Sequence, residues 1–454
     1  MTETKQQLKN AELLERLDDL PFTPRHRKVL FASGIGWAFD AMDVGLITYI
    51  IAVLSVQWDL TGFQKSWVVS AGFIGMAVGA SLGGTLADHI GRRNVFTLTL
   101  IVYGVATGAS AFAGGVLVLI LLRVVVGLGL GAELPIASTL VSELSPKRLR
   151  GSIVVWLEAF WALGWTIAAI VGYFVVPLGD WGWRVAFGIG ALPALYAVYI
   201  RAGLPESPRF LLSKGKYQEA EAVVESLEDS ARQTGWTPAE AAEPVADEET
   251  AHSEKTFLFS PGLRGRTVAI WTVWFMVNFA YYGAFIWIPS ILHAEGFDLV
   301  RSFGYTLIIT LAQLPGYAVA ALLIEKWGRK PTLALFLVGS AASAVAFGMS
   351  GTVALIITTG CLLSFFNLGA WGALYAITPE IYPTRLRASG AGWAAGFGRI
   401  ASIVAPFIVT ALLAVGGVPS GNKSLLFGVI AGAFVVAAGA AMTLPELRGK
   451  ALEA

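Results

Sequence analysis

The stretch GTLADHIGRR at 84–93 returns as ALLIEKWGRK at 321–330, 237 residues further on. Outward from it, ELSPKRLRG at 143–151 returns as EIYPTRLRA at 380–388, and Trp156 returns as Trp393, in the same register. LPESPR at 204–209 returns as LPELRG at 444–449, at an offset of 240. Motif pairs in so nearly one register mean a duplication, two halves of one topology. Within the first copy, Gly84, Asp88, Gly91, Arg92 and Arg93 form a GxxxDxxGRR pattern. Its glycines permit a tight turn and close backbone approach. Asp88 is placed to pair with a basic group on a neighbouring helix end and so to latch the halves together at this end. Glu143, Arg150, Glu325, Arg329, Glu380 and Arg387, at the matching loops, complete the gating set. The alternative is that these arginines serve membrane topology alone.

The composition shows what surrounds the loops. Of 454 residues, 56% are hydrophobic and 14% charged, with 15 Trp, 51 Gly and a net charge of +1. Ordinary soluble domains carry about 25% charged residues. A soluble multidomain enzyme, a disordered chain and a basic nucleic-acid binder are excluded. The lone Cys361 rules out a disulfide within the chain. No nucleophile–base pair, metal cluster, phosphate loop or cofactor motif is found, so an enzyme is not expected.

Apolar runs of roughly 20 residues, each able to cross a ~30 Å hydrocarbon core, recur. They fall at 29–55, 66–87, 95–113, 116–141, 152–175 and 184–202, then at 267–292, 301–325, 332–350, 353–377, 388–414 and 424–443. Helices are expected, because a strand barrel would alternate apolar and polar residues. The expected class is all-α: twelve transmembrane helices in two pseudo-symmetric six-helix bundles. Parallel repeats of this kind share an axis along the membrane normal, with the substrate path between them near the midplane.

The expected organisation is an N-terminal segment (1–28), a first bundle (29–202), a central loop (203–266), a second bundle (267–443) and a tail (444–454). Lys and Arg crowd the N-terminal segment, the central loop and the duplicated loops, whereas Lys65, Arg184, Arg301 and Lys423 lie on the other side. That asymmetry places both termini in the cytoplasm and the chain in the cell membrane, inner or plasma. The first 28 residues are too polar for a signal-peptide core. Leu13, Leu17 and Leu20 suggest a short amphipathic helix on the membrane surface, a solvated leader being the alternative. Residues 215–230 read as a helix and 234–255 as a flexible linker.

The loop motifs together with PESPRF at 205–210 resemble the major facilitator superfamily, and PESPRF followed by a helix resembles its sugar-porter and organic-ion branch. The resemblance implies a single-chain secondary transporter that works by alternating access.

Six ionisable side chains fall inside the spans: Asp40, Asp43, Arg123, Glu133, Glu158 and Arg399. A charge at mid-membrane costs at least about 2.5–3.5 kcal/mol, so each is expected to face a cavity or a partner. Asp40 and Asp43, three apart in FDAMDVG, share a helix face. Two carboxylates so close resist joint ionisation, which makes at least one a candidate to load and release a proton. Arg123 is the candidate counter-charge, and a purely structural role stays open. Glu133, in GAELP, either joins this proton-coupling group or forms a helix-packing ion pair. Glu158 and Arg399 are near symmetry mates and are expected to face one cavity. Arg399 is the candidate for a substrate carboxylate, since its planar fork binds one bidentately. A fixed Glu158–Arg399 pair is the alternative.

Aromatic residues gather on three spans. Trp161, Trp274, Tyr281, Tyr282, Trp371 and Tyr375 fall deep enough to stack on a flat ring, at about 0.5–1.5 kcal/mol per pair. Asn278, Gln313 and Asn367 are candidates for hydrogen bonds to it. Packing is the alternative for any one of these rings. Trp181, Trp183 and Trp287 are expected in the interfacial belt. WLEAFWALG at 156–164, NFAYYGAF at 278–285 and NLGAWGALYAITPE at 367–380 resemble bacterial niacin transporters and the synaptic vesicle glycoprotein 2 proteins. That resemblance implies that Trp161, Trp274, Trp371, Tyr281 and Tyr282 line a central ligand site. Arg399 is similar to the anion-binding arginine of organic anion transporters, and Asp40-x-x-Asp43 resembles the aromatic acid/proton symporters. The glutamine-rich hexose motifs of sugar porters are missing.

The expected function is proton-coupled uptake of a small aromatic monocarboxylate, nicotinate before others. The partners are that substrate, protons and the bilayer, with no nucleic acid. A sugar or other aromatic-acid symporter, and a non-transporting receptor on the same fold, are the alternatives.

Overall fold

The computed structural model describes residues 3–146, 149–237, 257–383, 386–415 and 422–446. Among them are eighteen helices and no strand. After α1 (Glu3–Asp18), the first bundle holds α2 (Pro24–Gln57), α3 (Gly62–Ile90), α4 (Arg92–Ser110), α5 (Val116–Glu143), α6 (Arg150–Phe174) and the pair α7 (Gly182–Ile189) and α8 (Leu192–Gly203). The central segment forms α9 (Pro208–Ser213) and α10 (Tyr217–Arg232). The second bundle holds α11 (Arg264–Phe285) with α12 (Ile288–Ala294), α13 (Leu299–Leu311) with α14 (Gln313–Trp327), α15 (Arg329–Gly348), α16 (Val353–Glu380), α17 (Arg387–Ala414) and α18 (Lys423–Met442). The expected linker lies mostly outside the described residues.

Eleven of these segments are long and apolar enough to cross a membrane. The remaining place belongs to α4, whose 19 residues rise about 28 Å. Arg92, Arg93 and Asn94 open it and three threonines dilute it. Three spans that the sequence reads as continuous are broken, between α7 and α8, α11 and α12, and α13 and α14. In each, a proline (Pro193, Pro289, Pro315) sits in the first turn of the second piece, where its missing N–H is tolerated.

The duplication is visible in the packing. In the first bundle α3 lies on α5, α2 on α6, and α4 on α5 and α8; in the second α14 lies on α16, α11 on α17, and α15 on α16 and α18. The closest approach is between α3 and α5. A Cβ at Gly79 would collide with the Leu128 carbonyl, and one at Gly131 with the Met76 carbonyl. Small residues at such crossings let backbones meet where no hydrophobic force drives helices together.

The bundles join at the end away from the duplicated loops. There Ser66 Oγ lies 2.7 Å from Thr410 Oγ1, Ser70 Oγ donates to the Ile403 carbonyl at 2.8 Å, and Trp67 meets the Phe407 ring edge-on at 5.4 Å. Tyr49 packs on Phe303 beside this seam. Toward the duplicated loops the helices separate. Past residue 77, α3 buries only Gly79, Gly83 and Ala87, and up to residue 400 the described part of α17 buries only Gly390, Ala394 and Gly398. Each helix therefore keeps one packed stripe, toward its own bundle, and frees the face that met its partner.

The N-terminal helix lies on protein, not on the membrane surface that its leucines suggest. Leu13, Leu17 and Leu20 are buried, and α1 packs on α9 and α10. Glu228 grips Arg16 through both oxygens, at 2.8 and 2.9 Å. The physical reason is that α10 has its own apolar stripe, Ala220, Val224, Leu227 and Ala231, and the two faces cover one another.

Candidate functional site

The aromatic side chains converge between the bundles, midway along the spans. Trp274 meets Trp371 at 5.6 Å and Tyr375 at 5.1 Å, both edge-on, while Trp371 and Tyr375 stack at 5.8 Å. Tyr281 joins the group through Trp371 at 5.8 Å and reaches across to Trp165 of the first bundle at 5.6 Å. Trp161 lies on the other wall, 4.9 Å from Trp37. Tyr282 touches Phe73 of α3 at 4.6 Å. Rings thus come from both halves and meet near the point where the halves separate.

Arg399 lies at the edge of this group. Its guanidinium donates to the Tyr282 hydroxyl at 3.4 Å and has no ion pair within 4 Å among the described residues. Glu158 is buried nearby and feels Arg399 electrostatically, with Trp37 and Tyr375 beside it, but the two charges do not close into a bridge. The fixed-pair alternative is not the arrangement seen.

The amide side chains divide into two kinds. Asn278 donates to the Trp274 carbonyl at 2.8 Å and accepts from Ser402 at 3.0 Å, so it ties α11 to α17. Gln313 and Asn367 are buried with no closed hydrogen bond on either polar atom among the described residues, as are the Trp371 indole N–H and the Tyr281 hydroxyl, which Gln313 adjoins. Gln313 opens α14 at the break in its span. A half-helix start at mid-membrane is the kind of place where transporters of this architecture bind small solutes.

The carboxylates of α2 part company. Asp43 accepts from Arg123 at 2.9 Å and from Thr107 at 2.7 Å, all of it buried. Arg123 also lies over the Phe187 ring. A cavity of about 20 Å³, room for one water, adjoins this pair and is lined by Phe73 and Met76. Asp40 points elsewhere, toward Glu133 and Tyr103. The two share α2, but different neighbours on α4 and α5 take the two side chains.

The duplicated loops fold alike. Gly91 and Gly328 hold φ of 100° and 104°, which favours glycine. Glu206 accepts from the backbone N–H of Arg92 and Arg93 at 3.0 and 3.2 Å, and Glu446 from that of Lys330 at 3.0 Å. Each LPE motif thus caps the helix that follows its loop, where the N-terminal dipole favours a carboxylate. Arg92 pairs with Asp88 at 2.9 Å and Glu143 at 3.3 Å, and Arg329 with Glu380 at 3.1 Å. These pairs stay within their own bundles. Asp88 is largely exposed and bridges to its own bundle rather than across to the other, as the separation of the helices here requires. Gly84 and Glu325 are exposed too. The side chains of Arg150 and Arg387 lie outside the described residues.

A model of the sugar (and other) transporter family matches residues 35–454. The chain belongs to this family. It is a multi-pass membrane transporter with the major facilitator fold. The niacin transporter NiaP of Acinetobacter baylyi is 47% identical over 404 residues, which cover 88% of this chain and 90% of that one. The putative niacin/nicotinamide transporter NiaP of Bacillus subtilis is 44% identical over 424 residues, with coverages of 93% and 96%. Among solved structures, the xylose transporter XylE of E. coli in a partially occluded inward-open conformation matches with a TM-score of 0.73. It is 18% identical and covers 94% of this chain and 99% of that one, a likeness of fold alone.

Within this family fold, several residues near the site escape the sequence reading. Trp37 and Trp165 face the site from α2 and α6, and Tyr103 and Thr107 face the buried carboxylates from α4. Spacing held the signal for the last two, since residues four apart share a helix face. Trp183 and Trp287 are buried, not interfacial, and the Trp183 indole donates to Gln57 at 2.9 Å.

Proposed function

We propose that this transporter takes up nicotinate, a small aromatic monocarboxylate, together with protons, by alternating access. The observation that carries the reading is Arg399, a cation without an ion-pair partner among the described residues, beside a ring of aromatic side chains drawn from both bundles. The carboxylate docks on the Arg399 fork, and the ring stacks among Trp161, Trp274, Tyr281, Tyr282, Trp371 and Tyr375. Gln313 and Asn367 offer buried amides to the ring nitrogen; Asn278 positions α11. The names of the two similar bacterial relatives agree with this substrate.

The proton is coupled within the buried group of Asp40, Asp43, Arg123 and Glu133, one layer from Tyr282 through Phe73. The bundles, 29–202 and 267–443, rock about the site as a single chain in the cell membrane. The duplicated loops and both termini face the cytoplasm, so a seam at the far end gives an inward-facing state. In the opposite state Asp88 and the matching loop charges close the cytoplasmic end.

Labelled nicotinate uptake into proteoliposomes, with and without an inward proton gradient, tests this. Gradient-driven accumulation that unlabelled nicotinate blocks and glucose does not is expected, with benzoate competing more weakly. Glucose accumulation without nicotinate uptake would overturn the reading and reduce the aromatic ring to packing.

A further inference from the structure

The buried charges of the first bundle form two separate units. Asp43 is saturated, with Arg123 and Thr107 on its oxygens. Asp40 and Glu133 are fully buried, and no hydrogen bond closes on any of their four carboxyl oxygens among the described residues. No Lys or Arg lies within 4 Å of either among those residues. Yet the two carboxyls face one another.

Gly36 makes the approach possible. It lies one turn before Asp40, and a Cβ there would stand 2.7 Å from Glu133 Oε1. Tyr103 of α4, also fully buried, faces both carboxyls. Tyr196 of α8 is near Glu133, and Asp43 of the same helix and Arg399 of α17 act on Asp40 at longer range. Two carboxylates in an apolar pocket, without a cation between them, do not both stay ionised. One proton shared between them, the O–H of one donating to an oxygen of the other, would satisfy both.

We propose that the Asp40–Glu133 pair is the proton-carrying site, and that Asp43–Arg123 is a fixed strut. The proposal rests on the proton-coupled reading above and names its coupling site. Arg399 supplies the link to substrate. With its fork empty, the cation acts on Asp40 and supports release of the proton. With a carboxylate on the fork that attraction is cancelled, and the pair keeps its proton. Substrate and proton then bind and leave together, and by reciprocity each raises the affinity for the other.

The test uses Glu133→Gln and Asp40→Asn in proteoliposomes, each in two assays beside the wild type. One assay is accumulation of nicotinate under an inward proton gradient; the other is exchange of labelled for unlabelled nicotinate without a gradient. Accumulation is expected to fall about tenfold or more in both variants, the size of a typical coupling between sites, while exchange continues. Exchange is also expected to lose its dependence on pH. Accumulation in either variant at the wild-type level would overturn the proposal. Loss of exchange in both would assign the pair a structural role and overturn it as well. A wild type that moves no nicotinate in either assay would instead overturn the carrier reading.

Discussion

Arg399→Ala weakens nicotinate binding by about 1.5–3 kcal/mol, roughly 10- to 150-fold in Kd, the worth of charge-assisted hydrogen bonds to a carboxylate. The side chain has one neutral partner, Tyr282, at 3.4 Å and is otherwise free of ion pairs among the described residues. Its removal breaks no closed ion pair among the described residues, buried Glu158 and Asp40 losing only a cation felt at longer range, and the larger loss falls on the ligand. Arg399→Lys is expected to recover only part of the affinity, because a point charge does not reproduce the planar fork. Titration calorimetry on the purified carrier decides this. An unchanged Kd in Arg399→Ala would place the carboxylate elsewhere.

Asp43→Asn has its largest effect on stability. The Asp43–Arg123 pair is buried on both sides, so the substitution leaves Arg123 charged without a partner. Breaking a buried pair from one side costs about 3–5 kcal/mol, more than the pair is worth against apolar residues of similar size. The single variant is expected to melt well below the wild type in detergent. The double variant Asp43→Leu with Arg123→Met, which removes both charges, is expected to recover much of the loss. A single variant that melts with the wild type would show that Arg123 finds another partner, and the strut would be wrong.

Much of this molecule is legible in its residues, and the reasons are local. Span length and Lys/Arg distribution are set by the bilayer, so the helices stand close to where hydropathy puts them. The loop motifs work through glycine turns and helix-end carboxylates, and these keep their spacing in both copies. The LPE pairs show this most plainly, since Glu206 and Glu446 cap corresponding helices.

Where the reading goes astray, the deciding term is a neighbour distant in sequence. Leu13, Leu17 and Leu20 fit a membrane surface and the stripe of α10 equally well, because both select the same periodicity. Asp40 and Asp43 share a face of α2, but Glu133 and Arg123, ten residues apart on α5, draw them into separate units. Trp183 and Trp287 look interfacial by position, whereas packing with the neighbouring helices buries them. The expected Asp88 latch depends on which end of the carrier is closed, and a sequence carries no conformational state.

The most direct test of the carboxylate-and-ring site is a comparison of nicotinate with nicotinamide in equilibrium binding to the purified wild-type carrier. The two ligands share ring and size and differ in the charge that Arg399 is held to recognise. Nicotinate is expected to bind at least about tenfold more tightly, the lower bound for a charge-assisted pair. Equal affinity for the two, or displacement of nicotinate by glucose, would contradict a site built to clamp an aromatic carboxylate.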